Sequence, residues 1–194
     1  MAQGKESWHP ASLAARRPWL EKRGRVLRAV REFFHQRDFV EVETPCLQVS
    51  PGLEPHLHAF ATRWRDPWGE GDRPLYLHTS PEFAMKKLLA GGMERIFQIA
   101  RVFRNGERSA THSPEFTMLE WYGAGATLAT LMAQTGDLVR ACAQAADAPL
   151  LRRGDQTCDP FAPWQSLSVA EAFGHYCGID LLASPAGALQ IGLQ

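Results

Sequence analysis

Between Arg23 and Arg37 the apolar residues Val26, Leu27, Val30, Phe33 and Phe34 recur at helical spacing, so one stripe of this segment is predicted to face a core. The period then shortens. Phe39-Val40-Glu41-Val42-Glu43 is a β-rich run stopped by Thr44-Pro45, because proline has no N–H to give to a strand ladder. Ser50 to Arg73, rich in proline, glycine and charge, reads as an irregular excursion with room for a hairpin around Phe60 to Trp64. Leu75-Tyr76-Leu77-His78 is another strand candidate. Thr79-Ser80-Pro81-Glu82 then has the chemistry of a helix start: Ser80 as cap, Pro81 at the first helical position, Glu82 against the positive end of the dipole. That helix is predicted to pass through Met85 and Leu88-Leu89 and to stop at Gly91-Gly92. Arg95 to Arg104 and Glu115 to Tyr122 are extended runs separated by the polar segment Asn105 to Pro114, which predicts an antiparallel pair with a long loop. In the second run, alternation places Phe116, Met118, Glu120 and Tyr122 on one face and Thr117, Leu119 and Trp121 on the other. The first of these faces is unusually polar and aromatic. Thr127 to Ala145 reads as a helix with Leu128, Leu131, Met132, Leu138 and Cys142 available for burial, followed by a turn-rich connection from Ala146 to Pro163. Ser168-Val169-Ala170-Glu171 has capping-box spacing for one more short helix.

Composition narrows the function classes more than the fold. The 194 residues, 45% hydrophobic and 22% charged, fit an ordinary globular domain rather than a disordered chain. Twenty-one Lys plus Arg balance twenty-one Asp plus Glu, so no overall positive field draws the chain toward nucleic acid. Cys46, Cys142, Cys158 and Cys177 form no C-x-x-C pair, a spacing that favours reduced thiols over a zinc site or a disulfide framework. The segment Met1 to Pro18 has no apolar run of signal length; the expected location is the cytoplasm. His56-x-His58 lacks a third ligand at useful spacing, and no metal site is expected from it.

The chemistry concentrates in Thr79-Ser80-Pro81-Glu82, in Arg101-Val102-Phe103-Arg104-Asn105, and in His112-Ser113-Pro114-Glu115-Phe116-Thr117-Met118-Leu119-Glu120-Trp121-Tyr122. In this order and spacing they resemble motif 2 and its preceding helix in the class II lysyl-tRNA synthetases, most closely the ligases of that group that act on elongation factor P. Arg23 to Pro45 resembles motif 1, whose helix and strand build a homodimer interface. The resemblance covers roughly residues 20 to 182. It implies an α+β fold, the class II synthetase catalytic core, with an antiparallel sheet flanked by helices. Residues 1–22 would be an N-terminal extension and 23–194 a partial catalytic domain. Nothing after Tyr122 resembles motif 3, so the resemblance also implies a core truncated before that motif, with feeble activity of its own.

The resemblance implies ATP and Mg2+ as cofactors, the ion held mostly by the nucleotide phosphates, and a lysine-type amino acid activated as its adenylate. An amino-acid carboxylate attacking the α-phosphate brings two anions together, and a guanidinium can bridge both. By resemblance Arg104 takes that catalytic role. Asn105, Glu107, Arg108, His112 and Ser113 would meet the nucleotide, and the ring of Phe116 would stack on adenine. Ser80, Pro81, Glu82, Glu120 and Tyr122 would bind the amino acid, whose two ammonium groups suit two carboxylates. Two positions depart from the family pattern. Phe103-Arg104-Asn105 is followed by Gly106 where a glutamate is usual, with Glu107 one place later as its candidate replacement. Ser113 stands where Asn is usual.

The acyl acceptor implied is a lysine side chain of elongation factor P, with transfer RNA disfavoured, because only about twenty residues precede motif 1 and an anticodon-binding barrel needs about 100. Lysine and (R)-β-lysine both remain open as substrates. A lysyl-tRNA synthetase fragment without its anticodon-binding domain, and an inactive remnant that binds nucleotide or dimerises, remain the other readings.

Overall fold

The computed structural model describes residues 9–69 and 71–183; residues 1–8 of the expected N-terminal extension and the C-terminal Ile191-Gly192-Leu193 lie outside the described residues. The chain forms two compact units, one ending at Ala148 and the other beginning at Pro149.

The first unit opens with helix α1, Pro10–His35, capped by His9, whose Nδ1 accepts the Ala11 N–H at 3.2 Å. It starts earlier than the predicted Arg23, and it passes through Pro18. The apolar period could not reveal these turns because none of residues 10–22 is buried. Proline at the first helical position and the Arg17–Glu21 pair, 2.7 Å apart one turn on, are the local features that favour them. From Val26 onward the expected stripe does its work: Val30, Phe33 and Phe34 are buried with Phe39, Phe97 and Leu138, and Val26 packs against them. The Phe34 ring stacks on Phe97 at 4.7 Å and meets Phe39 edge-on at 5.2 Å. Such aromatic pairs add about 0.5–1.5 kcal/mol beyond area burial.

The β-rich run after α1 yields only β1, Val40–Glu41, which pairs parallel with β5, Arg95–Phe103. β5 pairs in turn with β6, Glu115–Gly123, through an unbroken antiparallel ladder, giving the order β1-β5-β6. A second sheet joins β2 (Leu47–Gln48), β3 (Phe60–Trp64) and β4 (Arg73–Leu77), in the order β2-β4-β3. The hairpin expected near Phe60 is therefore present, with Arg73 to Leu77 as its second arm. Helix α2 is Glu82–Ala90, capped at its end by Gly91 as expected, but its N-cap is Pro81 rather than Ser80. The Ser80 hydroxyl still accepts the Glu82 N–H, at 3.0 Å.

Helix α3, Leu128–Ala145, is capped by Thr127 and lies against α1. Leu138 is buried, but Leu128 (73% exposed), Leu131 and Met132 are not. The expectation that those three would be buried is corrected, and the reason lies in the sheet. β6 is an edge strand among the described residues, and no further strand covers the start of α3 beside it.

In the second unit the connection after Ala146, expected as turns alone, contains the hairpin β7 (Leu151–Arg153) and β8 (Gln156–Cys158). Helix α4, Val169–Cys177, has the complete capping box predicted at Ser168 and Glu171 and ends at Gly178, in the left-handed region at φ 67°. No helix among the described residues is long and apolar enough to cross a membrane.

Candidate active site

The two faces of the β5–β6 ladder have opposite tasks. One carries Phe97, Ile99, Leu119 and Trp121 into the core beneath α1 and α3. On the other, the register sets Val102 opposite Phe116, Ala100 opposite Met118, Gln98 opposite Glu120 and Ile96 opposite Tyr122. The face expected from alternation in β6 thus exists and is continued by β5. Both Arg104 at one end of this face and Tyr122 at the other belong to the first unit.

Hydrogen bonds of the His78-Thr79 segment tie the second sheet to this face. His78 N–H donates to the Cys46 carbonyl at 2.9 Å, and the His78 carbonyl accepts from Phe103 N–H at 3.1 Å. The buried His78 ring places Nε2 2.6 Å from the Arg101 carbonyl; a carbonyl only accepts, so Nε2 carries the proton. Thr79, also buried, donates its hydroxyl to the Pro51 carbonyl at 3.2 Å, and its own carbonyl accepts Arg104 Nε–H at 3.3 Å. The segment His78-Thr79-Ser80 is therefore clamped to β5 before α2 begins.

That clamp brings the predicted amino-acid residues together. Ser80 Oγ donates to Glu120 Oε1 at 2.5 Å, and Tyr122 OH donates to Glu120 Oε2 at 2.9 Å. Burial, followed by the hydrogen bond to Glu120 and the charges of Glu120 and Glu82, raises the Tyr122 pKa well above the ordinary phenol value. The hydroxyl stays protonated and donating across the neutral range. Glu82 lines the same open pocket, about 410 Å³, with Glu120, Tyr122, Leu119, Trp121 and Leu131. Pro81 is fully buried and shapes the turn rather than offering a polar contact. The Glu82 carboxylate meets Lys86 Nζ at 2.5 Å, one turn further along α2.

At the other end, the Arg104 guanidinium lies 5.3 Å from the centre of the Phe116 ring. Its side chain is mostly covered, and its Nη1 stands 4.0 Å from Glu107 Oε1. Only Nε has a hydrogen bond among the described residues, so most of the guanidinium fork is open to a ligand. Arg104 N–H donates to the Pro114 carbonyl at 2.9 Å and Asn105 N–H to the His58 carbonyl at 2.7 Å, which fix the loop base from both sides. Asn105 is held here by its backbone. Glu107, the candidate replacement for the usual glutamate, is half-buried beside Arg104.

The remaining loop residues are not gathered onto this face. Arg108, His112 and Ser113 are exposed. The His112 ring Nδ1 is engaged locally by Ser109 Oγ at 2.8 Å and Thr111 Oγ1 at 3.2 Å.

Sequence reasoning missed Thr79, Gln98 and Lys86. Gln98 is buried directly across from Glu120, and its Oε1 accepts the Thr44 hydroxyl at 3.0 Å. A single amide inside the apolar run Ile96-Phe97-Gln98-Ile99-Ala100 was the available signal.

Comparison with protein families matches residues 12–184 to the class II tRNA synthetases (D, K and N). Among curated proteins, the chain is 39% identical over 183 residues to the elongation factor P–(R)-β-lysine ligase of Pseudoalteromonas translucida, covering 94% of this chain and 51% of the relative. It is 39% identical over 180 residues to the ligase of the same name in Mannheimia succiniciproducens (93% and 50%), and 40% identical over 165 residues to that of Haemophilus influenzae (85% and 46%). The chain spans about half the length of these relatives. The strand-loop-strand that carries Arg104, Phe116 and Glu120, and the helix start that carries Glu82, lie inside the matched region; the chain belongs to the class II tRNA synthetase family of the D, K and N type.

Proposed function

We propose that this chain provides the activating face of an ATP-dependent ligase that converts lysine or (R)-β-lysine to its adenylate and transfers the acyl group to a lysine side chain of elongation factor P. The observation that carries the reading is the single β5–β6 face with the Arg104 fork at one end and Glu120 toward the other, where Glu82 of α2 lines the same pocket as Glu120. The carboxylates suit the two ammonium groups of a lysine-type amino acid, which leaves its carboxylate for the arginine end. Arg104 bridges that carboxylate and the α-phosphate and offsets their repulsion as a carboxylate oxygen bonds to the α-phosphorus and the bond from that phosphorus to the departing pyrophosphate breaks. Phe116 presents its ring to adenine, and Glu107 accepts from the adenine amino group. Arg108 and His112, on the exposed loop, swing onto the distal phosphates when ATP binds. Asn105 and Ser113 border the nucleotide. Magnesium, held mostly by the nucleotide phosphates, would lower the charge on the leaving pyrophosphate. Dimerisation belongs to the same reading, through the motif 1 segment, where Val40 is exposed. So does a cytoplasmic location, where translation factors are found.

The relatives named as elongation factor P ligases support this acceptor. The family match favours one alternative, because its members charge transfer RNA. The test offers radiolabelled lysine or (R)-β-lysine, ATP, elongation factor P and transfer RNA to a full-length form that contains this chain. Label on elongation factor P is expected. Label on transfer RNA and none on the protein acceptor would replace this reading with a tRNA synthetase.

A further inference from the structure

The two carboxylates of the pocket are satisfied in different ways. Both oxygens of Glu120 accept from hydroxyl groups, Ser80 Oγ and Tyr122 OH, which hold the carboxylate in place and leave its charge uncompensated. Glu82 instead faces an ammonium of the chain itself, Lys86 Nζ. The side chains of Lys86 and Glu82 are 54% and 32% exposed, so this bond can exchange with solvent or with another cation at low cost. Glu120 and Glu54 also act on Lys86, after Glu82, and the ammonium is held above its ordinary pKa. A lysine-type ammonium of the chain itself thus already sits on one of the two pocket carboxylates.

We propose that Lys86 is a built-in ammonium that occupies Glu82 until a diammonium ligand displaces it, while Glu120 stands ready for the ligand's other ammonium. This deepens the proposed function and rests on its assignment of Glu82 and Glu120 to the amino acid. A ligand with one ammonium engages Glu120 and leaves the Lys86–Glu82 bond standing. A ligand with two must break that bond, and Lys86 turns to solvent. Lys86 is therefore a specificity-determining residue that competes with the second ammonium of the substrate for Glu82.

The test measures calorimetric binding of cadaverine, a diammonium without a carboxylate, and of pentylamine, its single-ammonium counterpart. The purified protein is compared with Lys86→Met, Lys86→Arg and Lys87→Met, the last a neighbouring exposed lysine of α2 with no carboxylate partner named above. Lys86→Met is expected to tighten cadaverine binding about two- to fivefold, the scale of an exposed ion pair, with pentylamine unchanged and the other two variants at wild-type affinity. Cadaverine binding that is unchanged or weaker in Lys86→Met overturns the inference. Equal tightening of both amines also overturns it, because that would be a general charge effect. Lysine-dependent exchange of pyrophosphate into ATP by a full-length form that contains this chain, measured in parallel, separates the two failures. Exchange present with cadaverine affinity unmoved sinks the role of Lys86 alone, whereas exchange absent from the full-length form sinks the amino-acid assignment beneath it.

Discussion

Arg104 and Tyr122 stand at the two ends of one face, and each makes a contact whose removal has a defined consequence. The Arg104 fork is largely uncommitted, so Arg104→Ala should leave the fold intact and remove the bridge between carboxylate and α-phosphate. In a full-length form that contains this chain, loss of one preorganised charge partner predicts a fall in adenylate formation of at least roughly 100-fold. Near-normal pyrophosphate exchange by the variant would show that another group carries this role. Tyr122→Phe keeps the ring and deletes the donor to Glu120 Oε2. A neutral hydrogen bond is worth about 0.5–1.5 kcal/mol net, so the KM for the amino acid should rise about 2- to 10-fold with kcat less affected. Because the Tyr122 pKa lies above the ordinary phenol value, this hydroxyl should not titrate up to the alkaline limit of activity, and a spectrophotometric titration of the phenol checks it. These positions were legible as residue types. What the sequence did not disclose was that Ser80 spends its hydroxyl on Glu120 as well as on the helix start, which depends on a contact forty positions away in the chain.

Helix α4 is the clearest case at the scale of one element. None of its residues is buried, so its stability rests on local chemistry more than on packing. Ser168 Oγ accepts the Glu171 N–H at 3.2 Å, and Glu171 Oε2 accepts the Ser168 N–H at 2.7 Å. The Ser168 backbone bond is the first cause that lowers the Glu171 pKa below the usual carboxylate value, with the Ser168 side chain second. A lowered folded pKa means the contribution is fully present above the unfolded value and is lost as pH falls through the folded one. The protection factors of the α4 amides should therefore fall on acidification, and Ser168→Ala should lower them already at neutral pH while flattening the acid dependence. An α4 equally protected in wild type and variant would show that the box contributes nothing. The capping box was readable because it is a pattern of four consecutive residues. The early start of α1 was not, since its first turns touch nothing and therefore carry no apolar period.

At the scale of the whole first unit, α1, β5, β6 and α3 meet around Phe34, which is fully buried and touches the rings of Phe33, Phe39, Phe97 and Trp121. Phe34→Ala should cost about 3–5 kcal/mol, a large share of the roughly 5–15 kcal/mol that holds a domain together. Urea unfolding followed by tryptophan fluorescence should show the midpoint drop by that amount, and a shift under about 1 kcal/mol would mean the core is centred elsewhere. The same unit marks the division between local and tertiary information. By itself the sequence determined the later turns of α1, the helices α2 to α4, the β5–β6 pair, which face of β6 is polar, and where Arg104, Glu82 and Glu120 fall on those elements, because periodicity and capping act over a few residues, but not the first turns of α1 or the β7–β8 hairpin. The tertiary structure alone decided that β5 lies beside both β1 and β6, that the His78-Thr79-Ser80 segment is clamped onto β5, and that Gln98 sits across from Glu120. It also decided that Leu128, Leu131 and Met132 stay exposed. Each of these depends on which distant strand pairs with which, and a pairing partner leaves no periodic trace in the strand that receives it.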